Sequence, residues 1–203
     1  MKKTIVLVFS VTFFLCLNAQ DFEKNGNYIS AGYGLGTFNP FVNVFSNNTS
    51  STTIGPGMIV YERGITDVLG IGRIGVGASF NTTFYGRSGT SSSFGTITRY
   101  NDRRTRIGLI ARCAYHFDFN VKNLDFYSGV GFGFYYNLDE FEQVTTTINN
   151  NISKVTLPPE SFVFPGFSMF SGARYYLNDT FGFYSELGFS TTSFFQLGVV
   201  FRL

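Results

Sequence analysis

The sequence predicts an all-β fold: an eight-stranded antiparallel up-and-down transmembrane β-barrel that follows an N-terminal signal peptide. Two observations predict it. Eight segments alternate apolar residues with small or polar ones, and a period of two is that of a strand. The composition, with 23 Gly, 26 Phe, 12 Tyr, no Trp and only 14% charged residues, lies far from the average globular mixture.

Residues 1–19 have the composition of a secretory signal peptide. Lys2 and Lys3 give a basic start, residues 5–17 an apolar stretch, and Ala19 a small residue at the expected cleavage site. Residues 20–203 then form one barrel domain. This mature part keeps Cys113 as its single cysteine, so no disulfide framework is expected. The net charge of +2 is too small to indicate a nucleic-acid partner.

The alternating segments come at regular intervals, and each is close to the ~9–11 residues that a tilted strand needs to cross a bilayer. No segment repeats at 3.6 residues, so we expect no helix in the mature chain. The predicted strands are about 28–38, 58–65, 69–84, 106–117, 124–136, 167–177, 181–189 and 194–203.

The connections alternate in length, as membrane barrels require. Residues 66–68, 118–123 and 178–180 are short turns, whereas residues 39–53, 86–99 and 139–160 are long and rich in Ser, Thr and Asn; the last connection, 190–193, is short. With a periplasmic N-terminus, the short turns are periplasmic and the long loops extracellular.

The last predicted strand, FFQLGVVFRL, is apolar at every odd-numbered position, whereas the even positions include Gln196 and Arg202. An apolar face that runs to the end of the chain favours contact with lipid and a role of the strand's end in assembly. Phe201 and Leu203 are therefore the predicted assembly signal.

The second face of the strands decides between a membrane barrel and a soluble barrel of the lipocalin type. It carries mainly Gly, Ser and Tyr with isolated charges, too few for a solvated surface. It suits a narrow lumen that side chains just fill. Because charges without water must be paired, we expect the pairs Arg174–Glu186 and Glu62–Arg73. The predicted lumen network is Glu62, Arg73, Arg112, Arg174 and Glu186; it is either a structural filling or a narrow ion path.

Five stretches resemble the small OmpX/OmpA-like eight-stranded outer-membrane barrels of Gram-negative bacteria. They are residues 60–67 (VYERGITD) followed by Gly70-Ile71-Gly72, residues 172–177 (GARYYL) with 184–188 (YSELG), and residues 198–203 (GVVFRL). The resemblance covers the mature chain. It implies location in the bacterial outer membrane, insertion by the barrel-assembly machinery, and contact with membrane lipid and lipopolysaccharide. Many family members end in an aromatic residue, whereas this chain ends in Leu203.

Three features of the sequence could indicate a chemical site. Residues 70–75, GIGRIG, match a dinucleotide-binding pattern, but alternation continues after them and no helix follows, so we interpret them as strand. His116 is the only histidine, which argues against a hydrolase or metal site. Cys113 falls on the lipid face. We therefore expect no enzymatic activity and no cofactor.

Two features of the long connections suggest surface contacts. Arg99, Arg103, Arg104 and Arg106, with Arg87, are expected at the extracellular rim, either on lipopolysaccharide phosphates or in a solvated rim with Asp102 as partner. Residues 141–148 and 152–157 flank three asparagines and predict a hairpin, whose edge could capture a partner strand.

The predicted function is that of a non-enzymatic surface protein. It would contribute to envelope integrity, or bind a surface or an extracellular protein partner through its loops. A narrow channel or transporter for a small or hydrophobic solute is the alternative, and a lipid-modifying enzyme is the third class.

Overall fold

Alternating side chains produce nine antiparallel strands in the computed structural model, which describes residues 22–35, 49–93, 96–147, 152–190 and 192–203. The strands are β1 (Asn27–Leu35), β2 (Thr49–Gly64), β3 (Gly72–Ser93), β4 (Thr96–Phe117), β5 (Leu124–Thr147), β6 (Ile152–Thr156), β7 (Glu160–Tyr176), β8 (Phe181–Phe189) and β9 (Phe195–Arg202). No helix in these described ranges is long and apolar enough to span a membrane.

Eight of the strands close into a ring. The sheet order is β4-β3-β2-β1-β9-β8-β7-β5-β6, and the additional pairing of β4 with β5 joins its two sides. β6 lies outside the ring and pairs with the distal part of β5. The predicted eight-stranded antiparallel up-and-down barrel is confirmed, with the architecture that the resemblance to OmpX/OmpA-like barrels implied. The interpretation of residues 70–75 as strand is confirmed from Gly72 onward, where β3 begins, whereas Gly70 and Ile71 lie in the turn before it.

The β2–β3, β4–β5 and β7–β8 turns lie at one end of the barrel, together with both described ends of the chain. Leu203 N donates to Asn27 O at 2.9 Å, and Arg202 N donates to Thr180 O in the β7–β8 turn at 2.8 Å. We call this the terminal end and the opposite one the loop end. Asn120 and Asn123 adopt positive φ in the β4–β5 turn, a conformation that asparagine tolerates better than most residues.

The prediction that residues 86–99 form a loop was wrong. β3 continues to Ser93 and β4 starts at Thr96, and the two pair residue by residue up to Ser93–Thr96. The Ser and Thr content of residues 86–99 is typical of a loop, but threonine also fits a pleated strand well. β2 likewise begins at Thr49, inside the predicted loop 39–53; residues 39–48 lie outside the described part.

The pairing predicted for the hairpin in residues 141–157 is confirmed, whereas its predicted turn at residues 149–151 lies outside the described residues. β5 extends to Thr147, and β6 pairs with it from Glu142–Thr156 to Thr146–Ile152. β6 also continues the line of β7 across Leu157-Pro158-Pro159, where prolines interrupt the ladder because they lack a backbone donor. Together with the distal parts of β2, β3 and β4, the hairpin forms a sheet that rises beyond the ring, which we call the extension.

The two faces of the ring differ sharply in exposure. Outward side chains such as Leu109 (63% exposed), Phe132 (60%) and Leu187 (60%) form an apolar belt, whereas inward ones such as Ile110 (1%) are buried. Within the belt, Ser128 and Ser171 satisfy each other at 2.9 Å, and Ser128 also donates to Phe170 O. The core of the molecule is therefore its lumen.

Candidate functional site

Glycines on the inner face give the lumen room for a few large side chains. A Cβ at Gly108 or Gly166 would overlap the ring of Tyr135, and one at Gly172 would overlap the ring of Tyr127. Gly75 serves Glu62 in the same way, since its bare backbone leaves space for the carboxylate to pass. Side chains can thus reach strands beyond their direct neighbours.

The lower lumen, toward the terminal end, holds a buried cluster of four charged or ionisable groups. Arg174 Nη2 donates to Glu62 Oε2 at 2.5 Å, and its Nη1 donates to Asp125 Oδ2 at 3.4 Å. His116 lies between the same two carboxylates: Nδ1 is 2.8 Å from Asp125 Oδ1, and Nε2 contacts Glu62 Oε1. Each of these side chains is at most 2% exposed. The cluster ties β2, β4, β5 and β7 together.

A second buried pair lies next to it. Arg112 donates to both carboxylate oxygens of Glu186, at 3.2 and 2.6 Å, a bidentate geometry that fixes both side chains. The Tyr127 hydroxyl donates to Glu186 at 3.1 Å. The Arg112 guanidinium also lies 3.7 Å from the centroid of the Phe170 ring, so aromatic faces supplement its hydrogen bonds.

The charges of the two groups balance when His116 is an imidazolium. When Glu62 and Asp125 are both ionised, their oxygens only accept hydrogen bonds, and both ring nitrogens of His116 then donate. Three cations, Arg112, Arg174 and His116, then face the three carboxylates of Glu62, Asp125 and Glu186. Buried charges are tolerated when each is paired and hydrogen-bonded, and the charges of these six groups sum to zero.

The predicted pairs Arg174–Glu186 and Glu62–Arg73 were wrong. They assumed that partners lie on adjacent strands, whereas the glycines let Arg174 reach Glu62 across the lumen. Arg73 donates instead to the backbone oxygen of Phe22 at 2.8 Å. The other four predicted network residues, Glu62, Arg112, Arg174 and Glu186, all make the contacts described above.

Sequence reasoning missed the roles of two network residues. From the sequence, His116 serves only as an argument against a hydrolase or metal site, yet it is the centre of the lower cluster. Asp125 was not named at all. The signal was present in the alternation, since His116 falls on the same face as Arg112, and Asp125 on the same face as Tyr127.

The upper lumen is also filled. Tyr135 is 1% exposed, and a cavity of only about 20 Å³ remains between Arg112, Asn81, Ser168 and Gln196. The β8–β9 connection covers it: Ser193 is 1% exposed, and its hydroxyl accepts from Gln196 Nε2 at 2.9 Å. No cluster of His, Cys, Asp and Glu suited to a metal ion occurs in the described ranges. Cys113 is exposed on the outer face.

The rim arginines do not gather in one place. Arg99 and Arg103 are exposed on the outward face of the extension. Arg104 and Arg106 are on the face continuous with the lumen, where Arg104 Nε donates to Asp139 and Arg106 Nε to Asn137, both at 2.8 Å. Arg106 also lies 5.4 Å above the Phe164 ring. Strand alternation separates the two sets because Arg104 and Arg106 have the opposite parity.

The outward face of the extension is mixed in charge. Arg103 is paired in register with Glu140, and Glu142 accepts from Lys154 at 2.6 Å. That hydrogen bond and the charge of Lys154 lower the pKa of Glu142. Below the hairpin, a cleft of about 290 Å³ is lined by Arg103, Glu140, Glu142, Leu157 and Pro159, with Asn101, Phe141 and Thr156. Its lining carries one arginine and two glutamates, and Lys154, which pairs with Glu142, lies outside it.

The hairpin ends in a short exposed strand. All five residues of β6 are exposed, and within the described ranges β6 pairs with β5 alone. Its second edge therefore presents backbone groups that another strand could bind.

Comparison with known proteins finds no matching family model and no matching curated protein. Among solved structures, the chain is similar to Ail, the attachment invasion locus protein of Yersinia pestis. The crystal structure of Ail in complex with the heparin analogue sucrose octasulfate has a TM-score of 0.47 and 14% identity, covering 89% of this chain and 100% of that one. A second crystal structure of Ail has a TM-score of 0.45 and 13% identity, with the same coverage. At this identity, the bound ligand characterises Ail alone.

Proposed function

We propose that this chain is an integral bacterial outer-membrane protein without enzymatic activity, which binds an extracellular partner or surface through its extension. Residues 1–19 would act as the signal peptide, and the barrel-assembly machinery would insert residues 20–203. The observation that carries the proposal is the division of the outer surface into an apolar belt on the ring and a polar, charged sheet beyond it.

The belt supports a place in a membrane. On β4, the outward apolar run from Ile107 to Phe117 extends for about 33 Å at ~3.3 Å per residue. At a tilt of ~40° it covers roughly 25 Å along the barrel axis, the height of the apolar band in outer-membrane barrels. A soluble monomer rarely exposes so large an apolar surface.

The extension supports a binding role. It is a sheet several strands wide that adds nothing to ring closure, because the ring is already closed below it by the β4–β5 and β1–β9 pairings. It carries exposed arginines on one face, the Arg106–Phe164 contact on the other, and the open edge of β6. Sheets with such edges and mixed faces suit binding to another chain.

Fewer of the rim arginines can contact lipid than the sequence suggests. Only Arg99 and Arg103 have the outward orientation that lipopolysaccharide phosphates require, and Glu140 lies opposite Arg103. Arg104 and Arg106 already have protein partners on the other face. We therefore propose at most a contribution of Arg99 and Arg103 to lipid contact, together with Phe201 and Leu203 as the assembly signal.

The filled lumen gives the alternative, a channel or transporter, little support. Paired charges occupy the lower part and Tyr135 the upper part, with a cavity of about 20 Å³ between them. An open conduit for a solute would require several of these side chains to move.

The test is a deletion of residues 143–155, joined by a short turn, displayed on a Gram-negative host that lacks the protein. We expect the variant to remain heat-modifiable in gels and to lose adherence to cultured epithelial monolayers. Normal adherence by a correctly folded deletion variant would contradict the proposed role of the hairpin. Solute uptake into liposomes by the intact protein would instead favour the transporter.

A further inference from the structure

The chain just before β1 turns into the terminal end of the lumen. Phe22 is 3% exposed, and its ring stacks on that of His116 with centroids 3.5 Å apart and planes 2° from parallel. It also stacks on Tyr28 at 4.7 Å. The Phe22 ring thus covers the His116 end of the lower charge cluster and lies between it and the barrel mouth.

The barrel wall is shaped to receive this segment. Arg73 Nη1 donates to Phe22 O at 2.8 Å, and Glu23 N donates to the Tyr28 hydroxyl at 2.8 Å. Gly64 is in contact on both sides, since Asn25 N donates to Gly64 O and Gly64 N to Gly26 O. A side chain at Gly75 would overlap the Phe22 ring. Glu62 and Arg73, which the sequence predicts as a pair, therefore bind different partners. Glu62 binds within the lower cluster, and Arg73 binds the segment before β1.

The segment is nevertheless not part of the ring. β1 starts at Asn27, and the pairings of β1 with β2 and β9 begin at Asn27 and Tyr28. Within the segment, Lys24 is exposed, and its Nζ lies 2.5 Å from Asp67 Oδ2 on the surface. Departure of residues 22–26 from the mouth would therefore break no hydrogen bond between two ring strands, and would break only the bonds that the segment itself makes, among them those to Gly64, Tyr28 and Arg73.

We propose that residues 22–26 are a removable plug, and that the mouth formed by Tyr28, Gly64, Arg73, Gly75 and His116 is a socket for the aromatic side chain of Phe22. With the plug in place, the His116–Glu62–Asp125 cluster is shielded from water at the terminal end. With the plug displaced, His116 becomes the first lumen group that water meets. This inference concerns the barrel itself and is independent of the proposed binding role of the extension.

The single histidine provides the readout. Imidazole N–H protons give NMR signals when hydrogen bonds and burial slow their exchange with water. In the folded full-length barrel in lipid nanodiscs, we expect two slowly exchanging ring N–H signals from His116. Phe22→Ala should raise their exchange rates by about tenfold or more, because local opening no longer has to expel the ring. Phe119→Ala, which changes an exposed aromatic in the β4–β5 turn, is the matched control.

Arg73→Met keeps the aromatic side chain of Phe22 but removes the donor to Phe22 O. It should raise the exchange rate of the His116 N–H protons to an intermediate value. Heat-modifiability of each variant shows that the ring is intact. Unchanged exchange in both the Phe22 and the Arg73 variant would overturn the proposal, as would fast exchange in the unaltered protein. Loss of folding in Phe22→Ala, with Arg73→Met indistinguishable from the unaltered protein, would also overturn it, since Phe22 would then be a structural core residue rather than a removable plug.

Discussion

Arg174 on β7 reaches Glu62 on β2 through the inside of the barrel, with Nη2 and Oε2 2.5 Å apart. The two residues are separated by 112 positions in sequence and their strands are not neighbours in the ring. The contact therefore braces opposite parts of the wall against each other, which hydrogen bonds between adjacent strands cannot do.

Removing one member of this pair should be costly. Arg174→Met leaves Glu62 and Asp125 buried with too little positive charge, so we expect a loss of about 3–5 kcal/mol in the free energy of unfolding. Urea titration of the barrel in lipid vesicles measures it. Lys24→Met, which breaks the exposed pair with Asp67, should cost less than about 1 kcal/mol. Equal effects of the two substitutions would contradict a buried, desolvated network.

The lumen glycines should tolerate no side chain where an aromatic ring lies against them. Gly108→Ala places a methyl group in the ring of Tyr135, and overpacking of this kind costs about 1–3 kcal/mol. Gly86→Ala is the control, because its Cβ would have 3.9 Å to the nearest atom, Thr52 O. The same unfolding titration compares them, and equal stability would mean that Tyr135 has space to move aside.

The apolar belt can be tested with a charge. Leu109→Arg puts a guanidinium on the outward face of β4 and should destabilise a membrane-embedded barrel by about 2–4 kcal/mol near the midplane. Ile97→Arg lies on the same face of the same strand but in the extension, so it should have almost no effect. If both substitutions were neutral in lipid vesicles, the belt would not be in contact with hydrocarbon.

The end of β9 should be needed for assembly. Phe201 is paired in register with Ile29 on one side and Phe181 on the other, and Leu203 N bonds Asn27 O. Deletion of residues 201–203 removes pairing from both seams, so we expect no heat-modifiable band in outer-membrane fractions. Arg202→Gln, which keeps the backbone pairing, should insert normally. Normal insertion of the truncated chain would show that closure does not depend on its last residues.

The sequence sufficed for the strand number, the ring order and the direction of each face, because alternation is a local property that the pleat converts directly into inside and outside. It did not suffice for the partners in the lumen. Arg174 and Glu186 have the same orientation on adjacent strands, yet each finds its partner elsewhere, since the choice depends on which glycines open the space between strands. The prediction for residues 86–99 was wrong for a different reason. Their composition is compatible with both loop and strand, and the pairing between β3 and β4 decides which of the two forms.

The strands differ greatly in length around the ring. β3, β4 and β5 have 22, 22 and 24 residues, whereas β1, β8 and β9 have 9, 9 and 8. In the described part of the chain, the mouth at the loop end is therefore oblique, with a tall wall facing a low one. A large molecule that approaches from the β8–β9 side reaches the inward face of β3, β4 and β5. One that approaches from the β4 side reaches their outward face. The direction of approach therefore decides which face of the extension a partner contacts. A partner on the inner side would contact Arg104 and Arg106, and one on the outer side Arg99 and Arg103.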